Sequence, residues 1–263
     1  LAVTRLVPAN GGSVKVKGTE FLELHGEALR NHRNHLQLIF QDPYSALNPR
    51  WRAGKIVREA LDWLNVGTKI ERNNRVSELF GLVGLSVEQE QLFPHQFSGG
   101  QRQRLGIARA LATHPDLIIC DEPVSALDVA VQAQILNLLH RLQKEMGLSY
   151  LFISHDLGVV QHMCDEIAVM YAGQIVEHTD RISLFRNPLH PYTKGLLASV
   201  PSADPNHPRD RKLGIYGEPP SPVDPPPGCR FASRCHFVDD RCKIENPALR
   251  KIETGHRVAC HLV

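Results

Sequence analysis

The chain has 263 residues, and its 30 Lys plus Arg against 28 Asp plus Glu leave a formal charge of +2. That balance excludes a strongly basic nucleic-acid binder and an acidic disordered tail. Hydrophobic residues make up 42% of the chain, enough for a packed core, yet no apolar run is long enough to span a membrane as a helix.

Leu1 to Val7 are too short and wrongly flanked for a signal peptide, and without an initiator Met the chain is expected to be a fragment. Leu36 to Phe40 read as a strand that ends in a polar loop, Gln41 to Pro49. Ile56, Val57, Ala60, Leu61 and Leu64 recur at helical spacing between about Gly54 and Leu64, and a second helix is expected over about Arg72 to Val83. Ser98 is placed to cap a helix that continues through Leu111. The apolar run Leu117 to Cys120 suits a strand buried on both faces. Asp128 is placed to cap a long helix, Val129 to Glu145, and Tyr150 to Ser154 read as a second buried strand. Ile167 to Tyr171 and Gln174 to Glu177 flank Ala172-Gly173, a two-residue hairpin connection. Strands alternating with helices imply an α/β domain with a mainly parallel sheet.

Nine of the eighteen prolines then fall between Pro201 and Pro227. Proline fixes φ and removes a backbone donor, so this stretch favours extended backbone over helix or ladder. The expected organisation is a main domain over 1–200, a proline-rich linker over 201–228, and a small, irregular, cysteine-rich tail over 229–263.

Three fragments point to chemistry. Asp121 and Glu122 end a buried strand, where ligands bind in open α/β sheets. Asp121 suits a Mg²⁺ ion and Glu122 suits a proton acceptor for an attacking water; the same pair would also serve as two solvated acids. Ser98-Gly99-Gly100-Gln101 opens a helix, where backbone N–H groups favour an anion, though an isolated Ser-Gly-Gly is more often an ordinary cap. His155 ends the next strand at the same sheet edge.

In order and spacing, Gln41, Phe97 to Arg104, Leu117 to Pro123, Ser125 to Asp128 and Ser154 to Asp156 together resemble the ATP-binding subunit of an ABC transporter. The resemblance covers nearly the whole chain. It implies a P-loop NTPase-type sheet with a helical subdomain inserted at about 48–113, and an ATPase activity with ATP and Mg²⁺. It implies that Gln41 is the Q-loop glutamine, touching Mg²⁺ or the water. Ser98, Gly99, Gly100 and Gln101 are then the signature motif, which binds the ATP of a second subunit. Asp121 becomes the Mg²⁺-binding Walker B aspartate and Glu122 the catalytic glutamate. Asp128 becomes the D-loop aspartate at the dimer seam, and His155 the switch histidine.

One departure is large: no Gly-x-x-x-x-Gly-Lys-[Ser/Thr] phosphate loop occurs in these residues. Leu1 to Val7 resemble the helix that follows that loop, and Gly11 to Val14 the turn before the next strand. The 263 residues alone are therefore expected to bind ATP poorly and to hydrolyse almost none.

The blocks Gln41 to Arg50, His190 to Thr193 and Gly217 to Cys229 resemble the dipeptide/oligopeptide importers within this family. That implies a homo- or heterodimer of ATPase subunits, two membrane permeases, an extracytoplasmic solute-binding protein, no nucleic acid, and a peripheral place on the cytoplasmic face of the membrane. Importers of nickel or other small solutes share these features. Two alternatives differ in class: a soluble ABC-type ATPase acting on nucleic acid or the ribosome, and an inactive fragment serving as an iron–sulfur or zinc protein.

The tail spaces its thiols as Cys229-x5-Cys235-x6-Cys242-x17-Cys260. Four thiolates suit a [4Fe–4S] cluster or a tetrahedral Zn²⁺. The lack of a Cys-x2-Cys knuckle disfavours zinc, and the resemblance adds weight to the cluster. Arg230, Arg234 and Arg241 are placed to offset a cluster's negative charge or to form a solvated face. Cys120 and Cys164 read as small core residues.

Overall fold

The computed structural model describes residues 1–200, 214–221 and 223–263. Residues 201–213 and Pro222, half of the expected linker, lie outside the described residues. The chain forms two compact units, Leu1–His155 and Asp156–Val263.

The first unit is built on a parallel sheet of β3 (Leu36–Ile39), β4 (Leu117–Asp121) and β5 (Ser149–Ile153), in that spatial order. Leu36 pairs with Leu117, and Leu117 with Ser149. Parallel neighbours need crossovers, and helices supply them. Between β3 and β4 run α2 (Ala53–Trp63), α3 (Lys69–Leu82) and α4 (Gly99–Leu111), and between β4 and β5 runs α5 (Val129–Met146). β4 is central, and its Ile118, Ile119 and Cys120 are buried as their apolar run suggests. β5 departs from expectation. It lies at the edge of this sheet, and Leu151 and Ile153 are exposed while Tyr150 and Phe152 are half-buried.

Caps explain the helix starts. α3 begins three residues before its apolar periodicity because Thr68 and Glu71 form a reciprocal box. The Glu71 N–H donates to Thr68 Oγ1 (3.3 Å), and the Thr68 N–H donates to Glu71 Oε2 (2.6 Å). α5 ends at Gly147, whose φ of 67° is the left-handed conformation that glycine adopts at least cost.

Leu1 to Val7 form turns rather than the expected helix. Arg5 sits at φ 53°, which interrupts the helical ladder, and Pro8 follows. A segment of one or two turns gains too few hydrogen bonds to offset helix nucleation. The short hairpin of β1 (Lys15–Val16) and β2 (Thr19–Glu20) and helix α1 (Gly26–His32) precede β3. α1 has no fully buried residue, and its half-buried Leu29 packs on the core, too little for a periodic pattern to show.

The second unit carries α6 (Leu157–Met163), β6 (Glu166–Tyr171), β7 (Gln174–Asp180), α7 (Arg181–Arg186), α8 (Pro191–Ala198), α9 (Asp240–Ile244), β8 (Arg250–Glu253) and β9 (His256–Val258). β6 and β7 form the expected hairpin. Ala172 at φ 45° and Gly173 at φ 80° give both turn residues the positive φ that matches strand twist. β9 pairs with β7, Glu177 opposite Val258, and the antiparallel order is β6-β7-β9-β8. The cysteine-bearing segment, expected as irregular, thus contributes a short helix and two strands.

Its attachment is both aromatic and ionic. Phe231 packs against Tyr171 (ring centroids 5.2 Å apart), Tyr192 (5.5 Å) and His190 (5.9 Å). Beside them Glu177 is fully buried. Its Oε1 accepts from the Leu189 N–H and from His256 Nε2, both at 2.8 Å, and its Oε2 accepts from the His190 N–H at 3.0 Å.

His190 Nδ1 accepts the Tyr192 N–H (3.0 Å), which requires a neutral ring. Burial pushes the His190 pKa down to about 4, against Glu177 and a backbone hydrogen bond to Ala259 that favour the charged form. An unfolded His binds its proton near pH 6.5, so this contribution to stability is fully present above that value. It is lost as pH falls toward 4, by about 3 kcal/mol in all. The thermal midpoint of the second unit is expected to drop between pH 6.5 and 4.5, and less steeply in His190→Asn. Equal acid sensitivity of both proteins would contradict this.

Candidate functional site

Gln41, Glu122 and His155 come from three chain segments and meet at the carboxyl edge of the parallel sheet. Gln41 follows β3, Glu122 follows β4, and His155 lies two residues beyond β5. Gln41 Nε2 donates to Glu122 Oε2 at 2.9 Å, and His155 Nδ1 lies 3.1 Å from Glu122 Oε1. The Glu122 side chain is 23% exposed and the His155 side chain 73%, so the carboxylate is sheltered while the imidazole faces solvent.

The backbone fixes this carboxylate. Glu122 has φ 45°, a conformation that non-glycine residues seldom adopt and that concentrates at functional turns. Its N–H donates to the Ile153 carbonyl at 3.0 Å, and its own carbonyl accepts from the N–H (3.2 Å) and hydroxyl (3.0 Å) of Ser125. Strand β5 and the following turn therefore clamp the residue on both sides. A carboxylate held between an amide and an imidazole can accept a proton from a water and orient it. Asp121, half-buried at the end of β4, stands next to it.

Ser98, Gly99, Gly100 and Gln101 form the start of α4. Ser98 Oγ accepts the Gln101 N–H (3.3 Å), and Gln101 Oε1 accepts the Ser98 N–H (2.9 Å). This second group packs against the start of α5. Gly99 lies over Leu127, and a Cβ on Gly100 would fall 2.6 Å from Val131 Cγ1. Asp128 caps α5, its Oδ1 accepting the Val131 N–H at 3.0 Å. Among the described residues no hydrogen bond or ion pair joins this group to Gln41, Glu122 and His155.

The crowding at Gly100 gives a prediction. Gly100→Ala forces α4 away from α5 and is expected to cost about 1–3 kcal/mol of stability, as overpacking does. Thermal unfolding checks this. A midpoint equal to that of the unsubstituted chain would show that α5 yields freely.

Sequence reasoning missed Arg109 and Arg102. The Arg109 guanidinium is largely buried and donates to the Ala46 carbonyl at 2.5 Å. It lines a cleft of about 570 Å³ with Ala46, Leu47, Arg50, Ile56 and Glu59, beside the Gln41 loop. Arginines at helical spacing look like a solvated face, and only the fold shows what they cover.

The four tail cysteines gather in the second unit. The Cys229 N–H donates to the Cys242 carbonyl at 2.8 Å. Burial pushes the Cys229 thiol up, and Cys260 adds to the shift. Burial also raises Cys235, with further contributions from Cys260, Cys229 and Asp239, and raises Cys242, with contributions from Asp239 and Cys229. Each thiol thus lies within electrostatic reach of another. Even so, among the described residues no three His, Cys, Asp or Glu side chains are placed to hold a single metal ion. Cys120 is a buried core residue as expected, and Cys164 is half-buried with its thiol pushed up by burial. Arg230 hydrogen-bonds the Ala172 carbonyl, and Arg241 pairs with Glu245 at 2.8 Å.

Comparison with known proteins is consistent with this geometry. Residues 1–125 match the family model for ABC transporters, and residues 176–242 match that for the oligopeptide/dipeptide transporter C-terminal region. The chain is 50% identical over 258 residues to a probable peptide ABC transporter ATP-binding protein, y4tS, of Sinorhizobium fredii, covering 98% of this chain and 73% of that protein. It is 47% identical over 260 residues to the oligopeptide transport ATP-binding protein AppF of Bacillus subtilis, covering 98% and 79%. A solved dimer of the ATP-binding cassette MJ0796, in a post-hydrolysis state with ADP and Pi, is 28% identical. It superposes with a TM-score of 0.60 over 68% of this chain and 78% of that one.

Proposed function

This chain belongs to the ATP-binding proteins of oligopeptide/dipeptide ABC transporters, and from that membership we propose how its residues power peptide import by ATP hydrolysis. The observation that carries the mechanism is the convergence of Gln41 and His155 on the two oxygens of Glu122.

Glu122 accepts the proton of the water that attacks the terminal phosphate. Gln41 and His155 hold its carboxylate and, with it, the line of attack. His155, exposed at the sheet edge, also reaches the phosphate being released. Mg²⁺ needs only one or two protein oxygens when phosphates supply the rest. The Asp121 carboxylate and the Gln41 amide oxygen suit that hard cation and would hold it. Once bound, the ion neutralises charge on the phosphate oxygens.

Ser98, Gly99, Gly100 and Gln101 lie at the positive end of α4 and serve the ATP of the partner subunit. Asp128 lies at the seam between the two. Two subunits therefore close over two nucleotides, and hydrolysis lets them part. Two permeases receive that motion at the cleft beside the Gln41 loop, with a solute-binding protein delivering peptide. No helix among the described residues is long and apolar enough to cross a membrane. From its family we place the subunit on the cytoplasmic face of the membrane, held by its permeases.

For the tail we favour a [4Fe–4S] cluster on Cys229, Cys235, Cys242 and Cys260, with a structural role. Four thiolates suit either a cluster or one zinc, and among the described residues no three His, Cys, Asp or Glu side chains are placed to hold a metal ion. What favours the cluster over zinc is the lack of a Cys-x2-Cys knuckle together with the resemblance to peptide importers. Anaerobic purification should yield about four irons and four sulfides per chain; one zinc without sulfide would overturn this reading. The transport assignment is tested by ATP-dependent uptake of labelled peptides into vesicles carrying the assembled transporter. Uptake that is indifferent to ATP, or hydrolysis indifferent to peptide, would reject it.

A further inference from the structure

We propose that Arg102 and Arg109 are positioning residues that bind the Gln41 loop to one face of α4, so that loop and helix move as one body. This rests on the roles given above to Gln41 and to Ser98–Gln101. It adds the physical link between them.

The two arginines are seven residues apart on α4, hence two turns apart on the same face. Arg102 is buried, with its own geometry fixed. Its Nε donates to the Pro94 carbonyl (2.6 Å) and its Nη2 to the His95 carbonyl (3.2 Å). Its guanidinium carbon lies 3.6 Å from the centre of the Tyr44 ring. Arg109 takes the loop two residues further on, through the Ala46 carbonyl, and lies 5.7 Å from the centre of the Phe40 ring just before the loop. The α4 face therefore touches both ends of the segment that carries Gln41.

That segment is stiff. Asp42 Oδ1 accepts the Tyr44 N–H (2.8 Å), its Oδ2 accepts the Ser45 N–H (3.3 Å), and its carbonyl accepts the Ala46 N–H (3.2 Å). Its first residue, Gln41, holds Glu122. The other end of the lever is equally firm, since Gly100 leaves no room between α4 and Val131. A push on the loop thus reaches Glu122 of this subunit directly, and Ser98–Gln101 through the two arginines. The Tyr44 ring is 66% exposed, so its stack on Arg102 serves alignment more than core stability.

The test uses the assembled transporter, its ATPase subunit carrying a phosphate-loop segment joined ahead of Leu1, and compares Tyr44→Ala, Tyr44→Phe, Arg102→Met and the Tyr44→Ala/Arg102→Met double variant. Tyr44→Ala is expected to lower peptide-stimulated kcat by about three- to tenfold, the range of a cation–π contact. KM for ATP and the melting midpoint stay unchanged, and the permeases still co-purify. Tyr44→Phe keeps the ring and should retain the rate. The double variant should be no slower than the slower single one, as expected for one shared contact. Multiplying losses, full activity of Tyr44→Ala, or equal loss in Tyr44→Phe would each overturn the inference. Should Arg102→Met fail to fold, the two Tyr44 variants decide alone. An unsubstituted transporter that hydrolyses no ATP would reject the parent reading instead, so the two failures are distinguishable.

Discussion

Replacing Glu122 by Gln in an assembled transporter whose ATPase subunits carry a phosphate-loop segment ahead of Leu1 is expected to lower ATP turnover by about 10²- to 10⁴-fold, the span of a lost general base. The substitution is nearly isosteric. The amide oxygen can still accept from Gln41 Nε2, now 2.9 Å from Glu122 Oε2, and the backbone clamp to Ile153 and Ser125 is untouched. What disappears is a group able to take a proton from water. ATP affinity is therefore expected to persist while phosphate release stops, and the two subunits should remain closed over unreacted nucleotide. Phosphate release together with retained labelled ATP measures both halves of the claim. A loss below tenfold would move the base to another residue.

Glu177→Ala is expected to have the largest effect on stability, about 3–5 kcal/mol in the second unit, the usual cost of removing one member of a buried pair. The residue is fully buried and satisfies two backbone N–H groups and His256 at once. Alanine leaves all three without an acceptor in the interior. Glu177→Gln keeps the shape and an acceptor oxygen, so its cost should be about 1–3 kcal/mol. Because His256 lies on β9, the alanine variant should also free the cysteine-bearing segment, seen as faster proteolysis after residue 229. Denaturant unfolding within 1 kcal/mol of the unsubstituted chain would show that the network contributes little.

The residues proposed for hydrolysis were legible as a group because a parallel sheet brings the carboxyl ends of its strands to one edge. Asp121, Glu122 and His155 each end or follow an apolar run, and Gln41 follows another. Ser98 and Asp128 were legible as caps, and both cap. Glu177 was read only as a strand residue. Strand periodicity tells which face a residue takes but not its partner, and His256 is 79 positions away. The arginines of α4 failed for a related reason. Their partners, Tyr44 and Ala46, lie on a loop that the helix reaches only after folding. Leu1 to Val7 misled because apolar spacing over seven residues does not outweigh the left-handed Arg5 and the following proline. In the tail, spacing announced four thiols that share a neighbourhood, while strands β8 and β9 left no periodic mark over so few residues.

The central claim is that this chain gives Glu122 to its own nucleotide and Ser98–Gln101 to its partner's. The most direct measurement is the mass, by light scattering, of Glu122→Gln subunits that carry a phosphate-loop segment joined ahead of Leu1, with and without ATP. Single subunits are expected without nucleotide, stable pairs with ATP, and loss of pairing when Ser98→Arg is added. Equal masses with and without ATP, or ATP-driven pairs that tolerate Ser98→Arg, would contradict a site shared between two subunits.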